Sequence, residues 1–574
     1  MLKPEIRQEY ERWMSVVSEP DLAAELKAAA GDDEGINDRF YCDLSFGTAG
    51  LRGVIGAGTN RMNVYTVRKA TQGLANYLNK ALVESTVVIS YDSRNKSDVF
   101  SREAACVLAA NGVKVYMMSE LQPVPVLSFA VRELKCSAGI MVTASHNPAE
   151  YNGYKCYGPD GCQMTDDAAN AVLAEMQKLD VLTGAKTADF DTAVADGRIE
   201  IVPLSFVETF LGAIQKQQVF PEAARSAGLK VIYSPLHGAG NKPVRAILKR
   251  IGIDTVVVPE QELPNGDFPT VRFPNPEFEE AFDLARELSK TVDADFLLAT
   301  DPDCDRVGIA VKDKHGEWVL MTGNEVGCLL LNYILVALKE QGKLPADPVA
   351  VTTIVSSRLA SAIAAGNGCE MRLVLTGFKY VGEQIFLLEQ AGHPERFMLG
   401  FEESYGYLKG GHARDKDAVV ASMLICEMAA YYKQQGKSLL DVLSELYETY
   451  GYYCHRVVNV GFAGEQGMKD MAALMNRLRT DRPTAFGGQP VTLFSDYRES
   501  FAETAEGVKT AIDLPKSNVL SFDLLDGAGV IFRPSGTEPK VKAYITATGK
   551  TRAEAEALAV RLQEEATAII KGEQ

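Results

Sequence analysis

Three carboxylates stand at alternate positions in Asp301-Pro302-Asp303-Cys304-Asp305. In an extended loop, side chains at i, i+2 and i+4 can aim at one point. Three oxygen donors without imidazole or thiolate favour a hard cation, Mg²⁺ first and Mn²⁺ second. Such a site leaves coordination positions open for a phosphate oxygen. An EF-hand is a poorer fit, because Arg306 stands where its sixth position needs Gly and Lys312 where its twelfth needs Glu. A solvated acidic turn is the bland alternative, and the apolar strand leading into the loop argues against it. Thr143-Ala144-Ser145-His146-Asn147-Pro148 offers a hydroxyl suited to a nucleophile or a phosphate carrier. No Gly-x-Ser-x-Gly elbow surrounds Ser145, and neighbouring Ser and His seldom reach nucleophile-and-base geometry, so a plain turn serine competes with that role. Arg533-Pro534-Ser535-Gly536-Thr537-Glu538-Pro539-Lys540 supplies an Arg fork, two hydroxyls and a glycine that lets backbone N–H groups approach an anion. It is not a Walker A loop. The glycine-rich Gly47-Thr48-Ala49-Gly50-Leu51-Arg52-Gly53 is not a dinucleotide fingerprint either, so neither ATP nor NAD has a recognisable site.

The elements that must position these loops repeat three times. Val87–Ser90, Lys230–Tyr233 and 349–355 read as strands running into polar loops. Helical patterns follow over 98–110, 240–251 and 357–365, then strands over 113–117, 255–258 and 372–375. A second helical pattern leads in each case to a third strand, 138–142, 295–299 or 396–399. These third strands end in Thr-Ala-Ser-His-Asn-Pro, Asp-Pro-Asp-Cys-Asp-Arg and Phe-Glu-Glu-Ser-Tyr-Gly. The expected fold class is α/β, three related doubly wound βαβαβ units with parallel sheets, whose strand ends carry the ligand loops. From about residue 448 the pattern changes to that of a smaller α+β domain with an antiparallel sheet. Residues 1–40 read as a charged helical lead-in with a loop at Asp32-Asp33-Glu34-Gly35.

At 574 residues the chain is long enough for three to five domains, and its 46% hydrophobic and 24% charged content is that of a folded protein. A net charge of −17 disfavours nucleic acid and acidic membrane as partners, so an anionic substrate must meet a local basic pocket. No run approaches the 18 or so apolar residues of a membrane span, and Cys328–Leu338 is interrupted by Asn332 and Tyr333. The charged start over 1–13 lacks a signal-peptide core, and ten scattered Cys without CxxC pairs fit reduced thiols, so a cytoplasmic setting is expected.

Taken in order, the four motifs make the chain resemble the α-D-phosphohexomutase superfamily, most of all its phosphoglucomutase branch, over about residues 40–550. The resemblance implies four domains round one central cleft: after the lead-in 1–40, a phosphoserine domain 41–205, a metal domain 206–320, a sugar domain 321–450 and a phosphate domain 451–574. It implies interconversion of α-D-glucose 1-phosphate and glucose 6-phosphate through a phosphoserine at Ser145 and a glucose 1,6-bisphosphate intermediate, which also serves as activator. One Mg²⁺ would be held by Asp301, Asp303, Asp305 and the phosphorylated Ser145. Lys155 and His412 would transfer protons. Arg52, His146, Arg306 and Lys416 would contact the substrate, with Thr376, Lys379, Glu402 and Ser404 on the sugar side. Arg533, Ser535, Gly536 and Thr537 would grip the phosphate that is not reacting. The partner is a small sugar phosphate, with no nucleic acid and no membrane, and the chain would act as monomer or homodimer.

Phe401 stands where many relatives carry Gly before Glu-Glu-Ser, and Phe-Gly-Thr-Ala-Gly-Leu-Arg-Gly resembles a subgroup that includes phosphopentomutases and bisphosphate synthases. Glucose phosphate is favoured, with phosphopentomutase, phosphomannomutase and glucose-1,6-bisphosphate synthase as alternatives. A metal-dependent phosphatase would leave the distal phosphate loop without purpose. A non-catalytic sugar-phosphate sensor would have little need of Ser145 with its three aspartates.

Overall fold

The computed structural model describes residues 2–47, 50–462, 464–534 and 540–572. The chain divides into two compact units, one comprising Met1–Gly323, Val381–Phe397 and Ser404–Gln435, the other Asn324–Tyr380, Met398–Glu403 and Gly436–Gln574.

The first unit holds two mixed sheets. In the six-stranded one the order is Gly50–Val54, Tyr151–Tyr157, Ala138–Val142, Thr86–Tyr91, Lys114–Met118, Ile199–Val202. The last four run parallel, as the β-α-β spacing predicts, and the first two are antiparallel additions. The five-stranded sheet repeats the plan: Phe296–Thr300, Lys230–Ser234 and Asp254–Val257 are parallel, and Val307–Lys312 and Trp318–Leu320 fold back against them. The central strands are buried on both faces and read as unbroken apolar runs. The returning strand Tyr151–Tyr157, with Asn152, Gly153 and Lys155, does not read so, which is why sequence patterning leaves it out. Its consequence is functional: residues 143–150 and 301–306 each occupy the bend between a buried parallel strand and its antiparallel return.

At the amino end the structure corrects the expected loop at Asp32-Asp33-Glu34-Gly35. The helix Asp33–Phe40 begins there, capped by Asp32, whose carboxylate accepts the Gly35 N–H at 2.9 Å. Asp33 and Glu34 lie at the positive end of that helix, where carboxylates stabilise it, so a cluster that reads as a polar turn is a helix start. Gly35 is required by the closeness of the cap, since a Cβ there would lie 2.3 Å from Asp32 Oδ2. This helix and its predecessors Pro4–Val16 and Pro20–Ala28 dock through the fully buried Trp13, edge-on to Phe40 and Tyr65. Within the same unit the helix Ala418–Lys433 is buried along nearly its whole length. Its one acid, Glu427, is satisfied by the N–H groups of Val219 and Phe220 and the amide of Gln218.

In the second unit Glu370–Val374, Val349–Thr353 and Phe397–Glu402 lie side by side, the first two parallel. The C-terminal sheet has seven antiparallel strands, running in order from Tyr452–Gly461 through Lys540–Gly549, Gly529–Pro534, Leu520–Asp523, Leu493–Asp496 and Phe501–Thr504 to Lys509–Ala511. Helices Gly464–Thr480 and Arg552–Lys571 supply its apolar backing. A small seam joins this sheet to the parallel one: Val355 packs on Val519, Ile531 and Tyr544, and Arg358 pairs with Asp523. His455 Nε2 lies 2.8 Å from Ser357 Oγ and its Nδ1 3.3 Å from Thr546 Oγ1. No helix among the described residues is long and apolar enough to cross a membrane.

Desolvation, and after it the Arg358 charge, pushes His455 down from 6.5 to about 4. Below pH 6.5 the unfolded chain takes up a proton that the seam refuses until about pH 4, so this contribution to stability is complete above 6.5 and drains away across that window. The stability gap between wild type and His455→Gln, read by urea unfolding, should therefore narrow as pH falls through the window. A gap that stays constant contradicts it.

Candidate active site

The Ser145 loop begins where the buried strand Ala138–Val142 ends. The Thr143 hydroxyl accepts the Ser145 N–H at 2.8 Å and lies 2.6 Å from Asp92 Oδ2 and 3.1 Å from Asp303 Oδ2. Ser145 adopts a left-handed backbone, φ 52°, an uncommon conformation for a residue with a Cβ. Its hydroxyl donates to Asp301 Oδ2 at 2.8 Å, and His146 Nδ1 lies 3.1 Å away. The two neighbouring side chains converge across the left-handed Ser145, with the hydroxyl proton given to Asp301 and not to the ring. Desolvation, followed by the Arg306 and Arg52 charges, pushes His146 well below the ordinary imidazole value.

Arg94 holds this loop in shape. Buried at 3% exposure, its guanidinium donates to the carbonyls of Ser145, Asn147, Pro148 and Tyr151. Asp92 lies beside it at 3.6 Å, and Phe268 covers its face with the ring centre 5.0 Å away. Burial raises Asp92 above the usual carboxylate range even with Arg94 opposing. Sequence reasoning assigned no role to Asp92 or Arg94; the available signal was their place in the polar loop after the first strand of the repeat.

Asp301, Asp303 and Asp305 come together at the end of Phe296–Thr300, all buried, with one oxygen from each lying within 4.8 Å of the others. Asp301 Oδ1 accepts the N–H groups of Asp305 and Arg306, which curls the loop round that carboxylate. Lys155 donates to Asp303 at 3.0 Å and lies 3.9 Å from Asp305, and Lys416 lies 3.4 Å from Asp305. Burial and then the Asp303 and Asp305 charges raise Asp301, whereas Lys155 holds Asp303 low against the effect of its own burial. Asp303 Oδ1 and Asp305 Oδ1 are buried without a hydrogen-bond partner among the described residues. Orphaned carboxylate oxygens in an all-oxygen cluster fit a hard divalent cation, whose charge compensates what hydrogen bonds leave bare.

The first unit also brings Arg52 to the loop, its Nη1 donating to Asn147 Oδ1 at 3.2 Å, and pairs Arg306 with Glu277. His412 lies beside Asp417, Nε2 to Oδ2 2.7 Å, and Asp417 caps the helix Ala418–Lys433. No described partner meets His412 Nδ1. Ser404 sits half-buried in the turn 403–405. In the second unit Glu402 accepts the Gly377 N–H at 2.8 Å, which draws it against the segment carrying Thr376 and Lys379; the Lys379 ammonium lies over Tyr380. Arg533 occupies the end of the strand Gly529–Pro534, while Ser535, Gly536 and Thr537 lie outside the described residues.

Arg94→Met removes the cation from Asp92 and the donor from four carbonyls. It should cost about 3–5 kcal/mol of stability, the range for breaking a buried pair from one side. Urea unfolding checks this, and a loss below about 1 kcal/mol would contradict the assigned role.

Three models of the phosphoglucomutase/phosphomannomutase family, its alpha/beta/alpha domains I, II and III, match residues 43–182, 208–316 and 322–450. A phosphoglucomutase of Staphylococcus haemolyticus is 35% identical over 522 residues, covering 88% of this chain and 91% of that protein. One from Staphylococcus epidermidis is 36% identical over 516 residues, covering 89% and 91%. The solved structure of a phosphoglucomutase/phosphomannomutase family protein from Burkholderia thailandensis, 19% identical, superposes with a TM-score of 0.66 over 92% of this chain and 97% of that one. The chain is thus a phosphotransferase isomerase with three α/β domains and a β-rich C-terminal domain, and it belongs to the phosphoglucomutase/phosphomannomutase family of the α-D-phosphohexomutase superfamily.

Proposed function

We propose that the protein is a phosphoglucomutase that interconverts α-D-glucose 1-phosphate and glucose 6-phosphate, with Ser145 as the phosphoryl carrier and glucose 1,6-bisphosphate as intermediate and activator. The observation that carries this reading is the Ser145 hydroxyl 2.8 Å from Asp301, within a cluster that also leaves Asp303 Oδ1 and Asp305 Oδ1 without a hydrogen bond among the described residues. A phosphoryl group on Ser145 would enter the zone those carboxylates line. The names of the Staphylococcus relatives support glucose phosphate as substrate.

Held by Asp301, Asp303 and Asp305, Mg²⁺ would neutralise charge on the transferring phosphoryl group. The protein's own residues do the rest. A sugar hydroxyl attacks phosphorus, the Ser145 Oγ–P bond breaks as the sugar O–P bond forms, and the hydroxyl proton passes to a basic side chain. Lys155 and His412 are assigned to proton transfer. Lys155 is close to Asp303, and the Asp417 carboxylate orients the His412 ring. Arg52, His146, Arg306 and Lys416 surround the reacting phosphate. Thr376, Lys379, Glu402 and Ser404 hold sugar hydroxyls, and Arg533 with Ser535, Gly536 and Thr537 grips the other phosphate. The bisphosphate then turns and gives its second phosphoryl group back to Ser145. Ser145 is only 3% exposed, which limits loss of that phosphoryl group to water. The functional division proposed is 41–205, 206–320, 321–450 and 451–574. Ten free cysteines, eight of them buried, support a reducing cytoplasmic setting.

The purified enzyme should convert glucose 1-phosphate with Mg²⁺, faster with catalytic glucose 1,6-bisphosphate, and EDTA should abolish the activity. Ser145→Ala should lower kcat by about 10³-fold or more, the scale on which losing a covalent carrier acts. Preference for ribose 1-phosphate or mannose 1-phosphate would overturn the substrate assignment, and full activity of Ser145→Ala would overturn the carrier.

A further inference from the structure

The strand Tyr151–Tyr157 aims two side chains at the aspartate cluster, one directly and one through a relay. Residues two apart on a strand share a face, so Lys155 and Tyr157 point to the same side. Lys155 reaches Asp303 itself. The Tyr157 hydroxyl, wholly buried, donates instead to Asp415 Oδ2 at 2.8 Å. The other oxygen of Asp415 accepts the Lys416 N–H at 2.8 Å and its ammonium at 3.3 Å. That same ammonium lies 3.4 Å from Asp305 Oδ2. Gly406 opens the path for the lysine stem, since a Cβ there would lie 2.0 Å from Lys416 Cδ. The Lys416 ammonium is thus shared between two buried carboxylates, Asp415 and Asp305, and the Tyr157 hydroxyl is the neutral donor that satisfies part of Asp415's demand.

We propose that Tyr157 is a positioning residue: by donating to Asp415 it sets how far the Lys416 ammonium leans toward Asp305, and so how much charge the cation-binding cluster retains. This rests on the reading of Asp301, Asp303 and Asp305 as cation ligands. Without the hydroxyl, Asp415 Oδ2 loses its donor in a low-dielectric site, and Lys416, already 3.3 Å from the other oxygen of the same carboxylate, is a cation at hand to satisfy it. The ammonium is drawn off Asp305, which makes the cluster more negative and its cation tighter, while the site loses a positive charge placed for phosphate. Removing the Asp415 charge does the reverse, because Lys416 then settles on Asp305 and opposes the cation.

The test compares Tyr157→Phe, which keeps the ring and its packing, with Asp415→Asn, which keeps the volume. Mn²⁺ binding to the substrate-free protein, followed by the free-Mn²⁺ electron paramagnetic resonance signal, should tighten about threefold in Tyr157→Phe and weaken by a similar factor in Asp415→Asn. A merely structural defect would weaken both, and that result would overturn the proposal, as would no change in either. In turnover, Tyr157→Phe should lower kcat/KM about tenfold in the wild-type background and less than twofold on Lys416→Met, the non-additivity expected of residues acting as one unit. Equal losses in both backgrounds would also overturn it. Should the wild type fail to turn over glucose 1-phosphate, the substrate assignment falls, and the Mn²⁺ comparison still decides the role of Tyr157.

Discussion

Four buried carboxylates gathered at one place, Asp92, Asp301, Asp303 and Asp305, are the constraint on which the first unit depends. Each carries a desolvation cost, and together they repel one another at distances where the interior screens poorly. The structure answers with Arg94 against Asp92, Lys155 against Asp303 and Lys416 against Asp305, and with backbone N–H groups on Asp301. Asp303 Oδ1 and Asp305 Oδ1 are left without a hydrogen bond among the described residues, the latter with only the Arg306 guanidinium 3.8 Å away. Unsatisfied oxygens of that kind fit the hard cation proposed for the cluster.

The fold pays for this with local strain placed beside the chemistry. Ser145 and Cys304, each at φ 52°, occupy corresponding bends of the two sheets, where a buried parallel strand turns into its antiparallel return. Leu236 and His237 are also left-handed, and they shape the neighbouring loop so that Gly238 and Ala239 reach the Asp301 bend, the Ala239 N–H donating to the Pro302 carbonyl at 2.8 Å. His237 secures that loop through Thr270 Oγ1 and the Leu263 carbonyl. Conformations that cost a kcal/mol or so each persist because surrounding hydrogen bonds over-determine them. The Arg94 guanidinium plays the same part for the Ser145 loop.

The second unit answers to a different demand. Among its described residues, Glu402 and Arg533 sit on backbone that packing and a few polar pins hold. Glu402 is tied to Gly377, and the seam of Val355, Val519, Ile531 and Tyr544 fastens the C-terminal sheet beneath Arg533.

Much of this was legible in the residues alone. Apolar runs punctuated by polar loops mark the central strands, because a strand buried on both faces needs nothing but apolar side chains, and the three aspartates at alternate positions do gather at one point. The returning strand Tyr151–Tyr157 was not legible, since Asn, Gly and Lys within it carry no strand period that a sequence can show. Asp32 to Gly35 read as a loop because capping residues and turn residues are the same residues. What only the tertiary structure decided is which charges face each other across the chain: Lys155 and Asp303, and Tyr157 acting through Asp415 and Lys416 on Asp305, lie up to 258 positions apart. Local sequence sets the identity of a charged group, and its partner is chosen by which strand ends the sheets bring together. Electrostatic compensation acts through space between groups that chain order does not relate.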